Sequence, residues 1–134
     1  MRLAVLDTSA LIRLYVPDGP VPEGLEALVE QALRAEAVLY VPGLALAEAA
    51  QVLRKKERAG HLTAAEADEI LGEILELPIE LISERLTVPD ALALSRTTGL
   101  TVYDAIFVAL AKRKRAELIT ADAEVARVWG AKQA

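Results

Sequence analysis

The 134-residue sequence predicts an α/β fold, in which a central, mostly parallel sheet of four or five strands is sandwiched by helices. Short β-prone apolar runs alternate with longer segments of helical periodicity along the whole chain. The segments between runs are long enough for the helical crossovers that parallel neighbours need. A chain of this length fits one domain, so we expect a single domain over residues 1–134.

Local signals set the bounds of the elements in the first half. Asp7, Thr8 and Ser9 follow the first apolar run, and all three are good helix-capping residue types. Pro42 suits the first turn of the third helix, and Gly60 suits its end. The elements expected here are strands 3–6 and 38–41 and helices 10–16, 25–36 and 43–60.

The second half carries equally clear signals. Thr63 and Glu66 form a capping box, which begins a helix that ends before Pro78, and Gly99 closes another helix. Residues 103–115 are apolar nearly all round, so their helix must be deeply buried. The elements expected here are strands 79–82 and 118–120, helices 63–77, 89–98 and 103–115, and a last helix capped by Asp122.

Composition excludes several kinds of chemistry. The chain has no cysteine and a single histidine, which rules out a thiolate zinc site, a disulfide framework and a histidine pair. The formal net charge of -5 argues against binding nucleic acid by general attraction to phosphate, so any RNA binding must be local. Because the apolar runs are short and broken by charge, we expect a cytoplasmic protein without a membrane span.

Four carboxylates are candidate site residues. Asp7 and Asp122 follow the first and last strands closely, and ligands of parallel sheets bind at the edge formed by the carboxyl ends of strands. Glu48 lies in the second turn of the helix after the second strand, flanked by alanine and leucine, with no basic residue within one turn. Asp104 opens the apolar helix, where a carboxylate would face inward.

Each aspartate also has a purely structural interpretation. Asp7 and Asp122 could be N-caps, and Asp104 with Thr101 resembles a capping box, whereas Glu48 has no capping role. Two carboxylates about 4 Å apart repel by about 4 kcal/mol near a protein surface, so four converging acids need a cation. Oxygen ligands without histidine or cysteine favour Mg²⁺ or Mn²⁺ over zinc.

The basic residues form two clusters, 54–58 and 112–115, in the last turns of their helices. Cations there complement the helix dipole, so we interpret both clusters as structural and as pointing away from the acids. Arg13 and Arg96 are nearer candidates for RNA contact. Thr8, Ser9 and Thr120 adjoin the candidate acids, where each could hydrogen-bond a carboxylate or a phosphate or could instead stabilise a turn or a helix cap.

Four short motifs occur in order along nearly the whole chain: residues 5–11 (VLDTSAL), Pro42 followed by Glu48, residues 103–105 (YDA) and residues 118–122 (LITAD). Together they resemble the PIN domain, specifically the VapC-type toxin of bacterial toxin-antitoxin pairs. The resemblance implies a small α/β sandwich and Mg²⁺- or Mn²⁺-dependent endoribonuclease activity.

The resemblance also implies site residues and partners. The acidic positions of the family correspond to Asp7, Glu48, Asp104 and Asp122, and its threonine–aspartate pair corresponds to Thr120 with Asp122. We expect Asp7 and Asp104 to bind the metal directly. Relatives of this kind are homodimers, silenced by a small antitoxin whose tail enters the acidic cleft. Two alternatives stay open, a nonenzymatic binding module with an acidic cleft and a PIN-type nuclease of RNA processing without an antitoxin.

Overall fold

The structure is a computed structural model and describes residues 1–133 of the chain. Within that range there are four strands, seven α-helices and one short 3₁₀ helix. The strands are β1 (Arg2–Leu6), β2 (Ala37–Pro42), β3 (Ile79–Ile82) and β4 (Glu117–Ile119). The helices are α1 (Thr8–Arg13), α2 (Leu25–Leu33), α3 (Leu44–Arg58), α4 (Ala64–Leu75), α5 (Val88–Thr98), α6 (Val102–Lys114) and α7 (Ala123–Gln133), and the 3₁₀ helix is Glu84–Leu86.

The strands described form one parallel sheet in the order β3-β2-β1-β4. Val5 of the inner strand β1 is paired with Tyr40 on one side and with Leu118 on the other. At least one helix separates each pair of consecutive strands, as parallel pairing requires. The predicted α/β fold with a central parallel sheet is therefore confirmed, with four strands.

The core forms where α6 packs against β1, β2 and β4. Residues 105–111 of α6 are all buried, which confirms the deep burial predicted from its apolar surface. A second cluster joins α1, α3 and α4 through residues such as Ile12, Leu53 and Ile74. None of the described helices combines the length and apolar character that crossing a membrane requires.

Pro42 was predicted to lie in the first turn of a helix, but it lies in a strand. It is the last residue of β2 and is paired with Ile82 in β3, and α3 begins two residues later. The N–H of Gly43 donates to Ile82 O at 3.1 Å, and that of Leu44 donates to Glu84 Oε1 at 2.6 Å. The carboxylate of a distant residue thus caps α3, which no pattern around Pro42 could reveal.

Two helices end earlier than predicted. α1 ends at Arg13, and the segment before Pro17 forms turns. α2 ends at Leu33, because Ala35 adopts a left-handed conformation with φ 59°. The capping box of Thr63 with Glu66 and the helix end at Gly99 are both confirmed.

Candidate functional site

The four predicted acids line one cleft of about 400 Å³. Asp7 follows β1 directly, and Asp122 lies three residues beyond the end of β4, at the edge where the parallel strands end. Glu48 enters from α3 and Asp104 from the first turn of α6. The fold therefore brings together carboxylates that are up to 115 positions apart in the sequence.

Asp7 is buried, with 3% of its surface exposed, and its carboxylate is held by three donors. Oδ1 accepts from the Ser9 hydroxyl at 2.6 Å and from the Ala10 N–H at 2.9 Å, and Oδ2 accepts from the Thr120 hydroxyl. The bond from Ala10 makes Asp7 the N-cap of α1. Asp7 therefore caps α1 and also lines the cleft, two roles that the sequence left as alternatives.

Glu48 is half-buried and tied to α1. Its Oε1 accepts from the Thr8 hydroxyl at 2.8 Å, and within residues 1–131 its Oε2 accepts no hydrogen bond. Burial raises the pKa of Glu48, and the negative charges of Asp104 and Asp7 raise it further, while the bond from Thr8 opposes the rise. One carboxylate oxygen is thus fixed and the other is available to a ligand.

Asp104 and Asp122 line the cleft from the starts of α6 and α7. The N–H of Asp104 donates to Thr101 Oγ1 at 3.1 Å, which caps α6, but the reciprocal bond of a full capping box does not form. Asp122 is an N-cap, because its Oδ1 accepts from the N–H groups of Glu124 and Val125 at 2.9 and 3.1 Å. Both aspartates line the cleft in addition to these local roles.

The acids influence one another electrostatically. Burial raises the pKa of Asp7 and of Asp104, and in both cases the negative charge of Asp122 adds to the rise. Hydrogen bonds from hydroxyl and N–H groups oppose it at Asp7, and the Thr101 hydroxyl opposes it at Asp104. Each acid whose pKa rises therefore senses at least one other acid of the cleft, so a cation among them would relieve repulsion.

The donor set fits a hard divalent ion held partly by water. Within the described residues, no three acidic or histidine side chains already surround a point closely enough to hold an ion by themselves. Mg²⁺ is ordinarily bound by one or two carboxylates, with its remaining positions filled by water and by phosphate oxygens of the substrate. The cleft suits such an ion because its acids offer only oxygen ligands and repel one another. It is also open, which leaves room for water and for phosphate oxygens.

Thr120 belongs to a network that links the ends of β1 and β4. Its hydroxyl donates to Asp7 and accepts from the Asp122 N–H at 2.9 Å. The Ser9 hydroxyl, besides donating to Asp7, accepts from the Ala121 N–H at 2.8 Å. Thr120 therefore positions two acids, which agrees with its predicted bond to a carboxylate.

Two basic residues, Lys55 and Arg96, are placed differently from the prediction. Lys55 lines the acidic cleft, although cluster 54–58 was expected to point away from it. Glu48, Gln51, Val52 and Lys55 follow one another at the i, i+3, i+4 and i+7 spacing of one helix face, so the cleft extends along α3. Arg13 lines the cleft as expected, whereas Arg96 does not.

Gln51, Asp18 and Phe107 also line the cleft and were not singled out from the sequence. Gln51 and Lys55 could have been found by extending the helical face of Glu48 by two turns. Asp18 could not, because its position depends on how the loop after α1 folds back toward α3.

Comparison with known proteins agrees with this architecture. The family model described as PIN domain matches residues 4–130. Ribonuclease VapC3 of Pyrobaculum aerophilum is 37% identical over 129 residues, which are 95% of each chain.

Two solved structures share the fold at lower identity. The crystal structure of PAE2754 from Pyrobaculum aerophilum has a TM-score of 0.74 and 24% identity, covering 95% of this chain and 79% of the other. The crystal structure of VapBC2 from Rickettsia felis bound to a DNA fragment from their promoter has a TM-score of 0.66 and 16% identity, covering 94% and 92%. Both similarities concern the fold alone.

Proposed function

The chain belongs to the PIN domain family, and on that basis we propose that it is a metal-dependent ribonuclease, the VapC-type toxin of a toxin-antitoxin pair. The observation that carries the proposal is the cleft lined by Asp7, Glu48, Asp104 and Asp122. Support for RNA as substrate comes from the 37% identity to a protein named Ribonuclease VapC3, which extends over 95% of both chains. The same family match supports a single domain.

We propose Mg²⁺ or Mn²⁺ as the cofactor. Asp7 and Asp104 are the proposed direct ligands, and Glu48 and Asp122 bind directly or through water. When bound, the ion supplies Lewis-acid activation of a water molecule and positive charge for the leaving oxygen of the phosphodiester. The open cleft leaves room for the phosphate oxygens that complete such a coordination shell.

The protein's own residues supply the positioning. Three hydrogen bonds fix the orientation of the Asp7 carboxylate, so this group needs no reorganisation during the reaction. Thr8 holds one oxygen of Glu48, and the other oxygen remains available to a ligand. The apolar side chains of Ile12 and Phe107 form part of the wall, which lowers the local dielectric and strengthens every charge interaction inside.

The proposed assembly is a homodimer that pairs with a small antitoxin, as the resemblance to VapC-type toxins implies. Exposed apolar side chains provide surface for such contacts, among them Leu86 and Leu92, which are 65% and 43% exposed. Light scattering of the purified chain, with and without the product of a neighbouring small reading frame, tests both parts.

The function is tested with purified, partner-free protein and a panel of RNAs in Mg²⁺, Mn²⁺ or chelator. We expect cleavage only with metal, and a loss of at least about 100-fold in Asp104→Asn and in Glu48→Gln. Asp68→Asn, an exposed aspartate of α4 remote from the cleft, is the matched control and should cleave like wild type.

Two other outcomes decide against the proposal. Cleavage that survives Asp7→Asn, Glu48→Gln and Asp104→Asn would place the active site elsewhere. Binding of metal or of a basic peptide without cleavage of any RNA would favour the nonenzymatic module.

A further inference from the structure

Two cations line the cleft together with the acids, Arg13 from α1 and Lys55 from α3. The basic residues on either side of Lys55 form ion pairs, Arg54 with Glu57 and Lys56 with Asp18. Within residues 1–133, Lys55 has no ion-pair partner. An ammonium group at the same cleft as four carboxylates, yet paired with none of them, is available to a separate anion.

Arg13 lies where the cleft meets a second, smaller hollow of about 290 Å³. Arg13 and Asp122 belong to both, and the hollow continues between the loop at Pro20–Pro22 and the start of α7. The two concave surfaces thus adjoin at Arg13 and Asp122.

The loop holds Arg13 in place without neutralising it. Nη1 of the guanidinium donates to the Pro20 carbonyl oxygen at 3.1 Å. The same nitrogen lies close to Gly19, because a Cβ added there would be 2.5 Å away, so a larger residue at position 19 would make the guanidinium group shift. Asp18 of the same loop forms an ion pair with Lys56, and this pair links the loop to α3. The charge of Arg13 is therefore fixed in position and remains available.

The acids and cations of the cleft act as separate groups. The pKa values of Asp7, Glu48 and Asp104 are all raised, first by burial and then by other acids, while hydroxyl and N–H groups oppose the rise. Within residues 1–131, neither Arg13 nor Lys55 forms an ion pair with any of these carboxylates. One cleft thus offers carboxylates for a metal ion and two cations for phosphate.

We infer that Lys55 and Arg13 bind backbone phosphates of the RNA, Lys55 inside the acidic cleft and Arg13 where the strand leaves it for the adjoining hollow. This rests on the proposed ribonuclease function. It explains how a chain of net charge -5 binds a polyanion, because the attraction is local to two residues.

The test uses an RNA of the panel that wild type cleaves, with Mn²⁺ at several KCl concentrations. Lys55→Gln and Arg13→Gln should each lower kcat/KM about tenfold or more, mainly through KM. Each should also reduce the slope of log kcat/KM against log salt by about 0.7, the value for one lost contact to a single-stranded backbone. A merely structural role would not change that slope.

Matched variants separate charge from folding. Arg58→Gln removes an exposed cation of the same helix outside the cleft and should leave the slope unchanged. Lys55→Arg and Arg13→Lys keep the charge and should retain most of the salt dependence. The rise in Tm on adding Mn²⁺ without RNA should be the same in Lys55→Gln as in wild type, because the metal site is intact.

Wild-type salt slopes in both Lys55→Gln and Arg13→Gln, with RNA cleavage by wild type intact, would overturn this inference and leave the ribonuclease proposal standing. Absence of cleavage by wild type in every metal would instead overturn the ribonuclease proposal, and the inference with it.

Discussion

The hydroxyl of Thr120 donates a hydrogen bond to Oδ2 of Asp7, although the two residues are 113 positions apart. They follow the neighbouring parallel strands β4 and β1, so the sheet itself brings them together. The same hydroxyl accepts from the Asp122 N–H, which links the positions of two acids of the cleft. An error in the pairing of β4 would therefore displace both acids at once.

We predict that Thr120→Val impairs activity more than stability alone would explain. The buried Asp7 oxygen loses a donor and the Asp122 N–H loses an acceptor, which costs about 1 to 3 kcal/mol. Partners that orient metal ligands typically contribute 10- to 100-fold in affinity or activity, so kcat/KM should fall by about that factor. Urea denaturation and cleavage kinetics measure the two effects.

Thr120→Ser keeps the hydroxyl and should recover most of the activity. Thr97→Val, on the exposed part of α5, is the control for a threonine outside the site. Equal activity of Thr120→Val and wild type would mean that the orientation of Asp7 does not depend on this bond.

Glu48→Gln should stabilise the metal-free protein. Burial and two neighbouring acids raise the pKa of Glu48, so its charged form is unfavourable in the folded state. The amide oxygen of glutamine can still accept from Thr8, so the main change is loss of charge. After allowance for solvent screening at this half-buried site, we expect Tm in chelator to rise by roughly 1 to 4 °C. Glu69→Gln, an exposed glutamate of α4, should change Tm less.

The same stabilisation should depend on pH. Because the pKa of Glu48 is higher in the folded than in the unfolded protein, its protonation favours folding. That contribution is complete below about pH 4 and is lost as pH rises through the raised pKa. The difference in Tm between Glu48→Gln and wild type should therefore vanish at low pH and grow toward pH 7. A difference independent of pH would show that charge is not its origin.

Ala35→Gly should stabilise the end of α2. The Glu36 N–H donates to Gln31 O at 2.8 Å and the Ala35 N–H to Ala32 O at 3.0 Å, the paired bonds of a Schellman motif. Ala35 occupies the left-handed position of that motif with φ 59°, where glycine avoids strain from Cβ. We expect a gain of about 0.5 to 1 kcal/mol in urea denaturation. Ala27→Gly, inside the same helix, should instead cost about 1 kcal/mol.

Periodicity and capping signals predicted most of the fold. The apolar run at 105–111 predicted a buried helix, and the Thr63 and Glu66 pair predicted the start of α4, because both signals are local. Helix propensity failed at Ala35. Alanine favours helices, yet this residue has the left-handed conformation that ends α2. Pro42 fails for a different reason, because strand pairing with Ile82 overrides its suitability for a helix start.

The site was predictable where it depended on the sheet edge. Asp7 and Asp122 follow strands, so their shared location could be argued from topology, and Glu48 could be argued from its uncharged surroundings. Lys55 was misplaced because cations in the last turns of the helices were expected to point away from the acids, whereas the cleft continues along α3. The loop after α1 extends it, and the bond from Arg13 to Pro20 that orders this loop depends on tertiary structure.

Anomalous diffraction from crystals grown with Mn²⁺ tests most directly whether these acids form the metal centre of an active ribonuclease. Protein from the same preparation should cleave RNA in Mn²⁺, and the anomalous peak should lie in the cleft. We expect it within about 2.6 Å of a carboxylate oxygen of Asp7 or Asp104. Active protein whose manganese lies away from all four acids would contradict the account.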